Sequence, residues 1–243
     1  RTWDNPKVKL EDWLQEKRSS GKWKDIKLID GSMLEDWLGV CPAVAAYYAR
    51  YHLELMPQVG VRSIKEFWDE FSTKFSPPLT EAVLLAGREK QKERFLNELR
   101  ENGRKISLAA DSPDEVIAFA IAAIRTTEAE LRRSFQSRAL IIDTDDAARQ
   151  LSGKRGMIFL PRDRARVLAG LLQQSSITVV SAGADESRTD HELLIRPDSI
   201  SLGKALETMG FDSAKSYQMA RQCGRSLSVL ARQISSSTAE SPE

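Results

Sequence analysis

Five short apolar runs separated by stretches of helical periodicity constrain the fold more than any other feature of this chain. The runs are Lys105–Ala110, Arg138–Asp143, Gly156–Leu160, Ile177–Ala182 and Glu192–Arg196. Most of them are continuously apolar rather than alternating, the pattern of strands buried on both faces. Between them lie "DEVIAFAIAAIRTTEAELRRSF", a short "TDDAARQLS" and "RARVLAGLLQQ", all of helical character. Strands that alternate with helices call for a parallel sheet covered on both sides, an α/β class of fold. Three further helices follow the last strand, "DSISLGKALETMG", "DSAKSYQMARQCG" and "RSLSVLARQI". The first two start at an Asp or Ser cap and all are set off by glycine.

The part before residue 76 differs in composition, because it carries all five tryptophans. "VKLEDWLQEKRSSG" reads as a short amphipathic helix, with Leu10, Trp13 and Leu14 on one side. "WKDIKLIDG" alternates loosely like a strand. "SMLEDWLGVCPAVAAYYARYHLEL" reads as a helix interrupted near Pro42, with Ser32 and Glu35 as a capping box. "SIKEFWDEFSTKF" is a helix with Ser63 and Glu66 in the same roles. The tryptophans Trp13, Trp23, Trp37 and Trp68 stand beside other apolar residues and are expected in the core. "SPPLT" at Ser76–Thr80 is the best linker, since two prolines cannot continue a helix. The expected organisation is a Trp-rich α/β connector over 1–76 and an α/β domain over 80–197. A helical lid over 198–234 and a disordered tail over 235–243 complete it.

Charge excludes few partners. The 243 residues carry a net charge of +1, so no global attraction to nucleic acid or to a membrane is implied. Cys41 and Cys223 fit no metal-ligand spacing and suit reduced thiols in a cytoplasm. Only His52 and His191 are present, which excludes a histidine-rich metal site. No apolar run is long enough to span a bilayer. The chain begins at Arg1, as a piece of a longer polypeptide would.

The order of the elements resembles a STAND-type ATPase, a signalling relative of the AAA+ proteins. The resemblance rests on "GRE" at Gly87–Glu89, the helix after it, the strand–loop–helix over 105–124, the later strands and the lid with its "CGRSLSVLARQI" turn. It covers about residues 80 to 234. "WKDIKLIDGSMLEDWLGVCPAV" is similar to a segment that joins a nuclease-like domain to such a module in large bacterial defence proteins. The resemblance implies a P-loop-like three-layer sheet with a lid. It also implies that Gly87, Arg88, Ser112, Asp143 and Arg225 are the positions where ATP and Mg2+ would be met. The implied partners are other domains of the same longer chain or further copies of it, with DNA met only through an upstream effector.

The residues themselves argue against a bound triphosphate. A phosphate loop needs glycines whose N–H groups wrap the phosphates, a lysine, and a Ser or Thr for magnesium. "ADSPDEV" has neither glycine nor lysine. Pro113 takes the first helical position, and Ser112 with Glu115 reads as a capping box. Asp111, Asp114 and Glu115 are expected to repel a polyphosphate. The third strand ends in Pro161, with Arg162 and Asp163 beyond, where an acid would hold magnesium. If the strand count shifts by one, Asp143 becomes that acid. For Asp143, Asp145 and Asp146 the alternatives are a metal site and the cap of the next helix. For "GRE" they are a nucleotide contact and a turn, and for Arg225 a ligand-sensing residue and a solvent-facing one. The expectation is therefore a scaffold without cofactor, with an active ATP switch and a DNA-binding module as the rival readings.

Overall fold

The computed structural model describes residues 9–41, 44–45, 48, 52, 59–100, 105–174, 176–186 and 190–237. Six strands form one mixed sheet: β1 (Val61–Ser63), β2 (Lys105–Ala110), β3 (Ala139–Ile142), β4 (Ile158–Pro161), β5 (Ile177–Gly183) and β6 (Glu192–Leu193). Their spatial order is β1-β3-β4-β5-β2-β6. β1 runs antiparallel to β3, with Val61 opposite Ile142, and every other pairing is parallel. All five expected strands form, within two or three residues of their expected ends.

The helices before the sheet's centre are α1 (Leu10–Ser19), α2 (Gly31–Val40), α3 (Ile64–Ser72), α4 (Glu81–Leu85) and α5 (Glu89–Glu98). Next come α6 (Pro113–Arg125), α7 (Ala129–Gln136), α8 (Asp145–Leu151) and α9 (Ala169–Leu172), the last preceded by a 3-10 turn over Asp163–Leu168. The chain closes with α10 (Ser199–Glu207), α11 (Ser213–Gln222) and α12 (Leu227–Ser237).

α6 is the axis of the molecule. Every residue from Val116 to Ile124 is sealed from solvent. It lies on β2 and β5 with α3, α4, α5 and α7 packed around it, which is why its sequence is apolar on all sides. The Ser112 cap, Pro113 at the first position and two acids in the first turn start it. At its far end Arg125 pairs with Glu81 at 2.6 Å and stacks over Trp68. On the opposite face of the sheet α8, the 3-10 turn and α9 bury a second cluster that includes Leu140, Ile142, Leu151 and Phe159. The result is three layers. No helix among the described residues is long and apolar enough to cross a membrane.

Several expectations require correction. The boundary at residue 76 does not divide the packing: β1 joins the sheet, and Phe67, Trp68, Phe71 and Phe75 share one core with α6. The linker is partly buried too, because Leu79 enters that core. The lid is likewise part of it, through Leu202, Leu206, Met219 and Leu230. "WKDIKLIDG" forms no strand. Ile26 and Leu28 are half-buried between exposed Asp25 and Lys27, so the alternation is present but no ladder partner is. Asp30, not Ser32, caps α2. The long helix expected over 114–135 breaks after Arg125, where the Thr126 hydroxyl bonds back to the Ala122 carbonyl. Of the four tryptophans expected in the core only Trp68 is there. Trp13 is half-buried, while Trp23 and Trp37 are 68% and 49% exposed. α12 runs to Ser237, past the expected end at 234. The tail over 238–243 and much of the second half of the helix expected beyond Pro42 lie outside the described residues.

Candidate functional site

The strand order places β2 inside the sheet, with β5 on one side and β6 on the other. The connections out of β2 and β5 therefore leave toward opposite edges of the sheet, and the crevice beyond the carboxyl ends of the strands at such a point is where open α/β sheets bind ligands. The loop there is Asp111–Ser112, leading into α6. The Ser112 hydroxyl accepts the Glu115 N–H at 3.2 Å, so the expected cap is present. Its expected reciprocal half is not, because the Glu115 carboxylate turns away to Arg88.

Arginines meet all three acids. Arg88 donates to Glu115 at 2.7 Å, and both side chains are almost inaccessible. The same guanidinium donates to the Ile195 carbonyl at 2.7 Å and to the Leu84 carbonyl at 3.1 Å. Arg162 forms a two-pronged pair with Asp114, at 2.7 and 2.9 Å. Arg196 reaches Asp111 at 2.7 Å, and Ser226, at the mouth of α12, bonds the same carboxylate. Burial pushes the Asp111 carboxyl up, but the bonds from Arg196 and Ser226 outweigh it and hold the group below its ordinary value. Arg162 is held above its ordinary value, chiefly by the bond to Asp114. The expected repulsion of polyphosphate by bare acids is thus corrected. The carboxylates are neutralised in place, and Arg88, Arg162 and Arg196 are each already spent on one.

Asp143 belongs to the same network but not to the same crevice. It directly follows β3, and Arg62 of β1 grips it with two bonds of 2.8 and 2.9 Å. Arg62 also bonds Glu70. Arg162 stands 3.7 Å from Asp143, so one line of alternating charges runs from Asp114 through Arg162, Asp143 and Arg62 to Glu70. Thr144, rather than an Asp, caps α8 by accepting the Ala147 N–H, and Asp145 and Asp146 occupy its first turn. Among the described residues no group of three His, Cys, Asp or Glu side chains is arranged to hold a metal ion.

Of the remaining residues expected at the site, Arg88 and Arg225 share one small cavity, whereas Gly87 borders a separate open groove of about 380 Å³ beside α10. Gly87 has φ +67° and an added Cβ would lie 3.5 Å from Pro197 Cα, so it is a left-handed turn packed against the chain entering α10. Arg225, exposed and with φ 65°, stands at the lid turn. Arg88, Glu115, Pro197, Leu202, Arg225 and Leu230 line a cavity of about 10 Å³, room for about one water molecule. An adenosine polyphosphate does not fit these residues: the cavity is too small, the loop has no glycine cradle, and Arg88 is already paired with Glu115. Arg62, Arg162 and Arg196 were not legible as site residues. The available signal was position, since Arg162 directly follows β4 and Arg196 follows the end of β6 by three residues.

A second opening lies on the other face of β5 and β2. It is an open groove of about 660 Å³ with Lys105, Arg166, Gln173, Val180 and His191 on its walls. Its cations are also paired, Lys105 with Asp190 at 2.9 Å and Arg166 with Glu186. None of the residues expected at the site borders it. No protein-family model, curated protein or solved structure matches the chain.

Proposed function

We propose that this chain is a non-hydrolysing, STAND-like scaffold or regulatory module of P-loop-like topology. In this reading it works within a multidomain bacterial defence protein, holding domains or subunits together rather than turning over nucleotide. The observation that carries the reading is the Asp114–Arg162 pair. It spans the space between the start of α6 and the end of β4, where a phosphate and its magnesium would otherwise meet. A carboxylate takes the place of the phosphate and a guanidinium that of the cation. Asp111 ties the same loop to the lid through Arg196 and Ser226. The three layers and the lid are thereby held in one arrangement by internal ion pairs, which suits a part that bears conformational load. Calorimetric titration of the full chain with ATP, ADP and GTP in magnesium is the direct test. No heat of binding is expected up to about 1 mM ligand, and a dissociation constant near 1 μM, about −8 kcal/mol, would replace this reading with that of an active switch.

A further inference from the structure

Helix α2 and the residues flanking it carry an apolar surface that none of the other described residues covers. Met33, Leu34, Trp37 and Leu38 of α2 are all at least a third exposed, as are Val44 beyond its end and Trp23 and Ile29 before it. Residues 34, 37 and 38 recur at helical spacing and form one stripe on α2. An isolated exposed leucine needs no explanation, but Leu34, Trp37 and Leu38 exposed together on one helix mark an interaction surface.

The charges beside this stripe say what covers it. Residues 17–27 hold five cations, Lys17, Arg18, Lys22, Lys24 and Lys27, against one acid, Asp25. α2 with its cap holds Asp30, Glu35 and Asp36 and no cation. Among the described residues Lys22, Lys24 and Lys27 form no ion pair, nor do Glu35 and Asp36. Stacking α2 on a second α2 in register would set acid against acid. Crossing the basic stretch of one copy over the α2 of another sets opposite charges together, and a two-fold axis makes that contact twice.

We infer that the partner is a second copy of this chain, joined through a two-fold interface in which the basic stretch 17–27 of each copy lies along the acid-flanked apolar stripe of α2 in the other. The inference rests on the assembly arm of the scaffold reading and names its partner. The crevice and the interface share no residue, so nucleotide titration and self-association can each fail alone.

Sedimentation of the full chain across about 1–100 μM is the test. A dimer is expected for the natural sequence. Trp37→Glu with Leu34→Glu is expected to give monomer, as are Glu35→Lys with Asp36→Lys and Lys22→Glu with Lys24→Glu, each alone. Mixing the last two variants is expected to restore a dimer containing one copy of each, because the inverted charges then match at one of the two crossings and the apolar stripes are intact. None of these positions enters the core, so unchanged thermal unfolding of the core is the control for folding. A monomer throughout the range for the natural chain overturns the inference. So does a natural dimer that the Trp37 and Leu34 substitutions leave intact. Dimers indifferent to both charge inversions would overturn the crossed geometry.

Discussion

Arg88 and Glu115 meet at 2.7 Å with side chains only 4% and 6% exposed. The pair joins the start of α5 to the first turn of α6, and Arg88 extends the join to the β6 edge through the Ile195 carbonyl. Gln91, one turn further on, accepts the Ile195 N–H and donates to the Leu193 carbonyl. One helix thus closes the edge of the sheet with side chains that mimic a neighbouring strand, which also blunts an otherwise open edge.

Breaking the pair from one side should be far worse than removing it. Arg88→Met leaves a carboxylate buried without its cation and is expected to cost about 3–5 kcal/mol of stability. Arg88→Met combined with Glu115→Leu removes both charges and should recover most of that loss. Urea unfolding of the two single variants and the double variant measures the coupling. Additive losses would mean that the two groups do not act as a pair.

Asp111 supplies a pH dependence whose direction follows from its depressed carboxyl. In the folded chain it gives up its proton at lower pH than in the unfolded chain, so between the two values the unfolded state binds more protons. Its contribution to stability is therefore complete above the unfolded value, about 3.9, and is lost as pH falls through the folded one. Because Asp111 joins the β2 loop to Arg196 and Ser226, the loss should appear first in the lid. The protection of amides in α10–α12, corrected for the intrinsic pH dependence of exchange, is expected to fall below about pH 4 in the natural protein. Asp111→Asn should show faster exchange already at neutral pH and a shallower acid response. An identical acid response in the two proteins would remove Asp111 from this role.

The parallel sheet was legible because burial on both faces leaves an unmistakable trace in the sequence, runs such as "ALII" and "ITVV" with no polar alternation. β1 left no such trace. It is three residues long, and only its place beside β3 gives it meaning. The caps at Ser63, Ser112, Asp198 and Asp212 were legible because capping is local chemistry. The arginine partners were not, because Arg62 and Asp143 are 81 residues apart, Arg196 and Asp111 85, and Arg162 and Asp114 48. Glu115 shows the competition directly: local spacing offers it the Ser112 backbone, and the fold offers it a buried guanidinium. The charged bond in a dry site is the stronger of the two. The exposed tryptophans misled for a related reason, since an apolar residue written for an interface has the same local sequence as one written for a core.

Gly87 separates the two readings of "GRE" by stability alone. Its φ of +67° lies where an L side chain is strained, and an added Cβ would stand at ordinary contact distance from Pro197. The cost of substitution is therefore conformational rather than steric. Gly87→Ala is expected to lower stability by about 1–2 kcal/mol. Gly87→Asn should cost less, because asparagine tolerates the left-handed region. A nucleotide contact would produce no such order between alanine and asparagine in the absence of nucleotide. Thermal unfolding of the two variants beside the natural chain reads the difference. If alanine is tolerated as well as asparagine, the turn is not what requires glycine here, and the ligand-contact reading of Gly87–Glu89 regains its ground.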